Sequence, residues 1–166
     1  KMSKQKVISI IVVVRNEVKT IVKTLKNIID QDFKDFELIV IDGASTDGTI
    51  DLIQSFNEDI NIIISEKDKN LYEAMNKGIG LASSDWVLFM NSNPNILISG
   101  GSIEEFSDKE GVITSRTYPK NSNEAISYIY KASIFAHPCV CFNKLFFDKG
   151  FTYDASHKFS QDVELW

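Results

Sequence analysis

An aspartate that follows an apolar run is the residue of this chain best placed for ligand chemistry. Leu38–Ile41 is typical of a buried strand, Asp42 comes directly after it, and a turn of mostly small residues follows. Open α/β sheets bind their ligands at the carboxyl ends of such strands. A carboxylate there suits hydrogen bonds from the N–H and hydroxyl groups of a base or a sugar. The ordinary alternative is that Asp42 is the N-cap acid of the helix predicted at 50–56.

Two other classes of nucleotide-dependent protein fit this region less well. The turn after Asp42 lacks the G-x-G-x-x-G pattern, which disfavours a Rossmann oxidoreductase. A nucleotidyltransferase has a similar α/β sheet, but it should carry a glycine-rich, basic loop after its first strand. The sequence at that point is Arg15-Asn16-Glu17-Val18, which is not such a loop.

Strands and helices alternate along the first half of the chain. The hydrophobic pattern predicts strands at 7–14, 37–41, 60–65 and 86–90, and helices at 18–29, 50–56 and 71–81. Such alternation predicts an α/β fold with a parallel sheet and right-handed crossovers. The second half is less regular: a helix is predicted within 97–110, strands at 112–118 and 134–142, and the beginning of a helix at 162–166.

The composition is that of an ordinary globular domain. The 166 residues predict one domain, 1–166, and the helical pattern that breaks off at Trp166 suggests truncation at the C-terminus. A net charge of −5 without a Lys/Arg-rich block argues against a nucleic-acid partner. Cys139 and Cys141 lie one residue apart in an apolar run, which suits neither a disulfide nor a zinc site. No signal peptide or membrane span is recognisable, so we expect a cytoplasmic protein.

Polar residues follow each of the first four predicted strands. They are Arg15-Asn16-Glu17, Asp42, Glu66-Lys67-Asp68 and Asn91-Ser92-Asn93. A single polar strand end is an ordinary boundary, but the carboxyl ends of parallel strands meet at one edge of the sheet. Together these polar ends therefore predict a binding pocket at that edge.

Four motifs, in this order, resemble family 2 glycosyltransferases. They are SIIVVVRNE at 9–17, IDGASTDGT at 41–49, SEKDKNLYEAMNKG at 65–78 and FMNSN at 89–93. Members of that family are inverting enzymes that use nucleotide-sugar donors. They have the GT-A fold, an α/β fold with a mostly parallel central sheet flanked by helices. The chain looks most similar to the bacterial polysaccharide-biosynthesis branch, over nearly its whole length.

The resemblance implies roles for particular residues. Nucleotide-binding roles are implied for Asn16, Glu17, Asp42, Asp68, Asn76, Lys77 and Asn91. Among them, Asp42 resembles the acid that accepts a hydrogen bond from N3–H of uracil. Asp162 resembles the general base that takes the proton of the acceptor hydroxyl, and His137 lies in a segment that resembles the acceptor side of the pocket.

The chain departs from the family at the Asp-x-Asp position, which normally supplies a carboxylate to a metal that bridges the diphosphate. Here it reads Asn91-Ser92-Asn93-Pro94, and amide oxygens are weaker ligands for Mg²⁺ or Mn²⁺ than carboxylates. Three interpretations are open. Either Asn93 binds the metal weakly, or a lysine neutralises the diphosphate without metal, or the protein binds nucleotide with little or no turnover. The candidate lysines are Lys67, Lys69 and Lys77.

The resemblance thus implies transfer of a sugar, with inversion, from a UDP-sugar to a saccharide or lipid-linked acceptor during polysaccharide synthesis. The alternative is a nucleotide-sugar-binding pseudoenzyme. A lipid-linked acceptor would bring the protein to the inner face of the membrane as a peripheral protein. The partners that we expect are therefore the UDP-sugar donor and the acceptor.

Overall fold

A six-stranded sheet organises the part of the chain that the computed structural model describes, residues 6–91, 112–114, 140–150 and 152–156. The elements in chain order are β1 Ile8–Val14, α1 Ile21–Ile29, β2 Phe36–Asp42, α2 Thr49–Gln54, β3 Ile62–Ser65, α3 Leu71–Leu81, β4 Trp86–Asn91, β5 Val112–Thr114, β6 Val140–Asn143 and α4 Lys144–Asp148. The predicted alternation of strands and helices in the first half is confirmed.

The order of the strands places the first strand of the chain in the interior of the sheet. The order is β3-β2-β1-β4-β6-β5; the first four are parallel, whereas β6 runs antiparallel to β4 and β5. In register, Val14 lies opposite Asp42, and Asp42 lies opposite Ser65. The carboxyl ends of β1, β2 and β3 therefore meet at one edge of the sheet, which we call the carboxyl edge.

The central strands are apolar because helices cover both faces of the sheet. Successive side chains of a strand point to opposite faces. Ile11 of β1 belongs to the core cluster that contains Met75 of α3, whereas its neighbour Val12 belongs to the cluster that contains Leu25 of α1 and Ile53 of α2. All five side chains are buried. Burial on both faces explains the nearly continuous β-branched run of β1, which only Ser9 interrupts.

A glycine lets helix α3 lie close to β1. A Cβ atom added to Gly78 would stand 2.5 Å from Cγ2 of Ile11, whose side chain is fully buried. Asn70 is the N-cap of α3, since its side chain accepts a hydrogen bond from N–H of Glu73 at 3.0 Å. The helix therefore begins just after the carboxyl edge and then packs down against the sheet.

At the opposite edge of the sheet, where β2 begins, a buried carboxylate bonds to residues of two other segments. Glu37 is 7% exposed and accepts hydrogen bonds from N–H of Ser83 at 2.6 Å, from the hydroxyl of Ser83 at 2.8 Å and from N–H of Ser84 at 3.2 Å. The hydroxyl of Ser9 donates to the same carboxylate. Burial would raise the pKa of Glu37, but the hydrogen bonds from Ser9, Ser83 and Ser84 outweigh it and hold the pKa below its ordinary value.

Element boundaries differ from the predictions where backbone groups bond to another loop. The helix predicted from residue 18 begins instead at Ile21. N–H of Glu17 donates to the hydroxyl of Thr49 at 2.8 Å, and N–H of Val18 donates to the carboxylate of Asp47 at 3.1 Å. These bonds shape residues 17–20 as a turn, because they fix the backbone against the neighbouring loop.

The second half is described in part. The structure describes β5 at the beginning of the strand predicted at 112–118. It describes β6 at the end of the strand predicted at 134–142, and β6 continues to Asn143. Helix α4 was not predicted; Asn143 begins it by accepting a hydrogen bond from N–H of Leu145 at 3.0 Å. The helices predicted at 97–110 and 162–166 lie outside the described residues, as does Cys139.

Candidate functional site

The carboxylate of Asp42 joins the ends of β2 and β3. Its side chain is fully buried, and Oδ2 accepts hydrogen bonds from N–H of Ser45 at 3.0 Å and from the hydroxyl of Ser65 at 2.6 Å. The hydroxyl of Ser45 donates to Oδ1. An ionised carboxylate has about four acceptor positions, so Oδ1 retains one for a further donor. The N-cap of α2 is Gly48, so the alternative that Asp42 is that N-cap is wrong.

Two turns at the carboxyl edge are bonded into one unit. N–H of Asn16 donates to Oγ of Ser45 at 2.8 Å, and N–H of Thr46 donates to Oδ1 of Asn16 at 2.9 Å. Asn16 and Ala44 both have a φ of 54°, a left-handed backbone that Asn tolerates better than Ala. The turn after β1 therefore holds the turn after β2 in a fixed, locally strained shape beside Asp42.

Asp47 belongs to this edge and was missed at the level of sequence. Its carboxylate accepts hydrogen bonds from N–H of Thr49 at 3.0 Å, from N–H of Val18 at 3.1 Å and from the Thr49 hydroxyl. These donors, the Thr49 hydroxyl foremost, hold the pKa of Asp47 below its ordinary value. An acid two residues before a helix was the available signal, because such side chains commonly bond the first free N–H groups of a helix.

A second group of charged residues lies where β3 ends. N–H of Glu66 donates to the backbone oxygen of Asp42 at 3.0 Å, which places the loop after β3 beside that residue. Nζ of Lys77, on α3, donates to Oδ1 of Asp68 at 2.6 Å and also pairs with Glu66. Burial would lower the pKa of Lys77, but Asp68 and Glu66 outweigh it and raise the pKa above its ordinary value.

The other oxygen of Asp68 is available to a ligand. The side chain of Asp68 is only 5% exposed, and Oδ2 is buried with no hydrogen-bond partner among the described residues. A buried carboxylate oxygen without a donor is energetically costly. This oxygen is therefore a candidate acceptor for an N–H or hydroxyl group of a bound molecule.

Asn76 contacts a different part of the chain. Its Nδ2 donates to the backbone oxygen of Tyr153 at 2.6 Å, and its Oδ1 accepts from N–H of Tyr153 at 2.9 Å. Asn91 is the last residue of β4 and lies opposite Val13 of β1. Of the residues predicted to bind nucleotide, the structure thus groups Asn16, Glu17 and Asp42, and beside them Asp68 and Lys77. Their function in nucleotide binding stays a prediction.

Arg15 adds a cation to the carboxyl edge. Its side chain crosses Gly43, where an added Cβ atom would stand 3.3 Å from Cδ of Arg15. The residue is exposed. Lys67 is a second exposed cation, two residues after β3 ends.

Three predicted site residues lie outside the described residues, namely Asn93, His137 and Asp162. Among the residues that the structure describes, there is no group of three or more His, Cys, Asp or Glu side chains that could hold a metal. In the same ranges, no helix combines the length and apolar character needed to cross a membrane.

A cleft of about 500 Å³ opens at the other end of the sheet, away from Asp42. Residues 82–86 and 143–145 line it together with Asp148. The serines that line it, Ser83 and Ser84, already bond to Glu37. We therefore place the candidate site at the carboxyl edge and not in this cleft.

Solved structures identify the class of fold. S. aureus TarS in complex with UDP is similar with a TM-score of 0.67 at 18% identity, over 96% of this chain and 53% of that chain. The mannosyltransferase PcManGT from Pyrobaculum calidifontis, in complex with GDP-Man and Mn²⁺, is similar with a TM-score of 0.64 at 18% identity, over 92% of this chain and 49% of that chain. At such identities the likeness concerns the fold alone, and the predicted GT-A fold is confirmed.

The family follows from the sequence comparison. The model of glycosyl transferase family 2 matches residues 9–92, about half of the chain, and the protein belongs to this family. A PGL/p-HBAD biosynthesis glycosyltransferase of Mycobacterium bovis is 35% identical over 91 residues, which are 53% of this chain and 36% of that protein. The putative teichuronic acid biosynthesis glycosyltransferase TuaG of Bacillus subtilis is 32% identical over 73 residues, which are 42% of this chain and 29% of that protein. The chain spans about a third of the length of these relatives.

Proposed function

We propose that this chain belongs to the catalytic domain of an inverting glycosyltransferase that uses a UDP-sugar. The acceptor is a hydroxyl group of a saccharide or of a lipid-linked molecule, and the product belongs to polysaccharide synthesis. Membership of family 2 supports transfer as the reaction class. The names of two bacterial relatives, which place them in PGL/p-HBAD biosynthesis and in teichuronic acid biosynthesis, support a biosynthetic role.

The buried oxygen of Asp68 is the observation that carries the proposal. It lacks a donor among the described residues, and its loop is bonded to Asp42 at the carboxyl edge. A nucleoside supplies the missing donors, because ribose carries hydroxyl groups and uracil carries N3–H. We assign ribose or base contact to Asp68 Oδ2, with Lys77 holding the other oxygen of that carboxylate.

Asp42 is the residue to which we assign recognition of uracil. Oδ1 retains one acceptor position, and rotation of the Ser45 hydroxyl would free a second. N3–H of uracil is a donor, so a fixed acceptor suits it. Asn16 then shapes the wall beside the base through its bonds to the turn after β2, and Glu17 does so through its bond to Thr49 of α2. Asn91 lies on the strand next to β1.

The residues at the Asp-x-Asp position do not fit a divalent metal. Asn91 to Asn93 offer only neutral oxygens, and hard cations prefer carboxylates. The similar PcManGT was solved with Mn²⁺, but no metal takes part in the transfer that we propose for this chain. Lys77 is already engaged by two carboxylates. Arg15 and Lys67 are the exposed cations to which we assign the diphosphate.

The transfer itself needs one proton acceptor. The oxygen of the acceptor hydroxyl attacks the anomeric carbon on the side opposite the diphosphate, and the bond to the diphosphate oxygen breaks with its electron pair leaving on UDP. The hydroxyl proton passes to a general base, a role that we assign to Asp162, with His137 on the acceptor side. Both residues lie outside the described residues.

Calorimetric titration of the full-length protein with UDP and with GDP tests the donor class. We expect UDP to bind at least roughly tenfold more tightly than GDP, in Mn²⁺ and in EDTA alike. A donor-hydrolysis screen over UDP- and GDP-sugars tests the reaction, with release of UDP from one UDP-sugar as the expected result. Tighter binding of GDP would contradict the assignment of Asp42.

A nucleotide-sugar-binding protein without turnover is the second candidate. The sequence Asn91-Ser92-Asn93-Pro94 favours it, since the carboxylate that the family uses at the diphosphate is missing. Both candidates bind UDP, so affinity does not separate them. Binding of UDP combined with no release from any donor in the screen would establish the second.

A further inference from the structure

The loop between β3 and α3, residues 66–70, carries Asp68 and is held at both ends. At the end that follows β3, N–H of Glu66 donates to the backbone oxygen of Asp42 at 3.0 Å. At the end that leads into α3, the side chain of Asn70 makes the attachment. The position of Asp68 therefore depends on two restraints, one on each side of it.

Asn70 connects this loop to a segment 85 residues away in the sequence. Its Oδ1 caps α3 by accepting a hydrogen bond from N–H of Glu73 at 3.0 Å, which leaves Nδ2 for another partner. Nδ2 donates to the backbone oxygen of Ala155 at 2.7 Å. One side chain thus joins the loop, the first turn of α3 and the segment 152–156.

The segment 152–156 is a firmly held partner. Tyr153 is 2% exposed, and its ring stacks on Tyr72 of α3 with centroids 5.6 Å apart. The same ring meets Phe89 of β4 edge-on, with centroids 5.8 Å apart. The side chain of Asn76 bonds to the backbone N–H and oxygen of Tyr153, at 2.9 and 2.6 Å. These contacts do not involve the loop, so they hold the segment independently of it.

The carboxylate of Asp68 needs such a restraint, because its position is costly. Its Oδ2 is buried without a hydrogen-bond partner among the described residues, and a loop movement that exposed this oxygen to water would remove the cost. Lys77 holds only the other oxygen, and the ion pair between the exposed Lys69 and Glu73 contributes little. Restraint of the loop by Asn70 therefore keeps Oδ2 in place for a donor from a ligand.

We propose that Asn70 is a positioning residue of the nucleotide site, which holds Asp68 in place by fastening its loop to the segment 152–156. The proposal rests on the proposed function, in which Oδ2 of Asp68 accepts a hydrogen bond from ribose or from the base. Asn70 itself does not contact the nucleotide. It favours binding because an acceptor that is already in position need not be ordered by the ligand.

Asn70→Ser removes the attachment with little other change. Serine caps helices about as well as asparagine and adds no charge, but it lacks the amide group that donates to Ala155. Asn143→Ser is the matched control, because Asn143 is also an asparagine N-cap and accepts from N–H of Leu145 at 3.0 Å. Asn143 lines the cleft at the other end of the sheet, away from Asp42.

UDP calorimetry on the full-length protein tests the proposal through a double-mutant cycle with Asp68→Asn. We expect Asn70→Ser to raise the Kd for UDP roughly tenfold, as it would if the loop kept the binding arrangement for about a tenth of the time. In the Asp68→Asn background the same substitution should change the Kd by less than about twofold, because the carboxylate that it positions is already absent. Asn143→Ser should leave the Kd unchanged.

Two outcomes of this cycle would overturn the proposal. One is an unchanged Kd for UDP in Asn70→Ser. The other is an equal loss of affinity with and without the carboxylate of Asp68, since a general weakening of the fold would act in both backgrounds alike.

Amide hydrogen exchange tests the attachment without any nucleotide. N–H of Lys69 bonds to the carboxylate of Glu73 and should exchange at least roughly tenfold faster in Asn70→Ser. N–H of Tyr153 should keep its protection, because Asn76 still holds it. If the unmodified protein bound no UDP, the proposed function would be refuted, and the exchange of Lys69 would still decide whether Asn70 holds the loop. Unchanged exchange of Lys69 in Asn70→Ser would overturn the attachment.

Discussion

Lys77 donates a 2.6 Å hydrogen bond to Oδ1 of Asp68, and Oδ2 of the same carboxylate remains buried without a donor among the described residues. The sequence suggested two separate ligand contacts at these positions. The geometry instead makes Lys77 the residue that orients Asp68. Because Glu66 engages the same ammonium group, Lys77 has little capacity left for a diphosphate.

Replacement of Lys77 by methionine should destabilise the fold, because it leaves the carboxylate of Asp68 buried without its cation. We expect a loss of about 1–3 kcal/mol near neutral pH. The folded-state pKa of Lys77 is raised above 10.5, so its contribution is complete below that pH and is lost as the pH rises through the folded value. Urea unfolding across the alkaline range should show that loss in the unmodified protein and not in Lys77→Met. Lys23→Met is the control, because Lys23 is an exposed cation of α1.

Asp42→Asn should raise the Kd for UDP roughly 10- to 100-fold, because the amide supplies a weaker acceptor to N3–H and loses the charge. Calorimetry checks this, with circular dichroism to confirm that the variant is folded. Asp51→Asn, at an exposed acid of α2, should leave the affinity unchanged. Equal affinities for Asp42→Asn and the unmodified protein would remove Asp42 from the base site.

In Glu37→Gln, the free energy of unfolding should depend less on pH in the acidic range than it does in the unmodified protein. The folded-state pKa of Glu37 lies below 4.5, so its contribution is present above that pH and is lost as the pH falls through the folded value. Near neutral pH we expect the variant to lose about 1–3 kcal/mol of unfolding free energy, since its amide satisfies fewer of the donors from Ser9, Ser83 and Ser84. Urea titrations at several acidic pH values measure both effects. If Glu37→Gln and the exposed Glu58→Gln behaved alike, this account of Glu37 would be refuted.

Two glycines of α3 should respond in opposite directions to the same substitution. Gly78→Ala places a methyl group 2.5 Å from the buried side chain of Ile11 and should cost about 1–3 kcal/mol. At Gly80, an added Cβ atom meets nothing within 4 Å. Gly80→Ala should therefore stabilise the helix by up to about 1 kcal/mol through helix propensity. Thermal unfolding of both variants measures the difference, and a stabilising Gly78→Ala would contradict the close packing of α3 on β1.

Much of the first half of the fold was predictable because hydrophobic periodicity there is strong. Helix α3 has the predicted bounds, Leu71–Leu81. Strand β1 begins one residue later than predicted, and β2 is one residue longer than predicted at each end. Prediction was weaker for α1, because contacts with residues 47 and 49 and not its hydrophobic face set its first residue. Prediction missed α4, which is short and depends on its N-cap residue Asn143. The predicted roles of Asn93, His137 and Asp162 stay predictions.

The sequence by itself determined the alternation of strands and helices, and with it the meeting of polar strand ends at one edge. Those features depend on local periodicity and on the geometry of parallel sheets, which short stretches of chain carry. Only the tertiary structure decided which polar groups bond to each other. The side chain of Lys77 bonds to Asp68, and the side chain of Asn76 bonds to the backbone of Tyr153, 77 residues away. The side chains of Lys77 and Asn76 could donate equally well to a ligand or to another part of the protein. Packing between distant segments decides which partner each side chain meets, and local sequence does not contain that information.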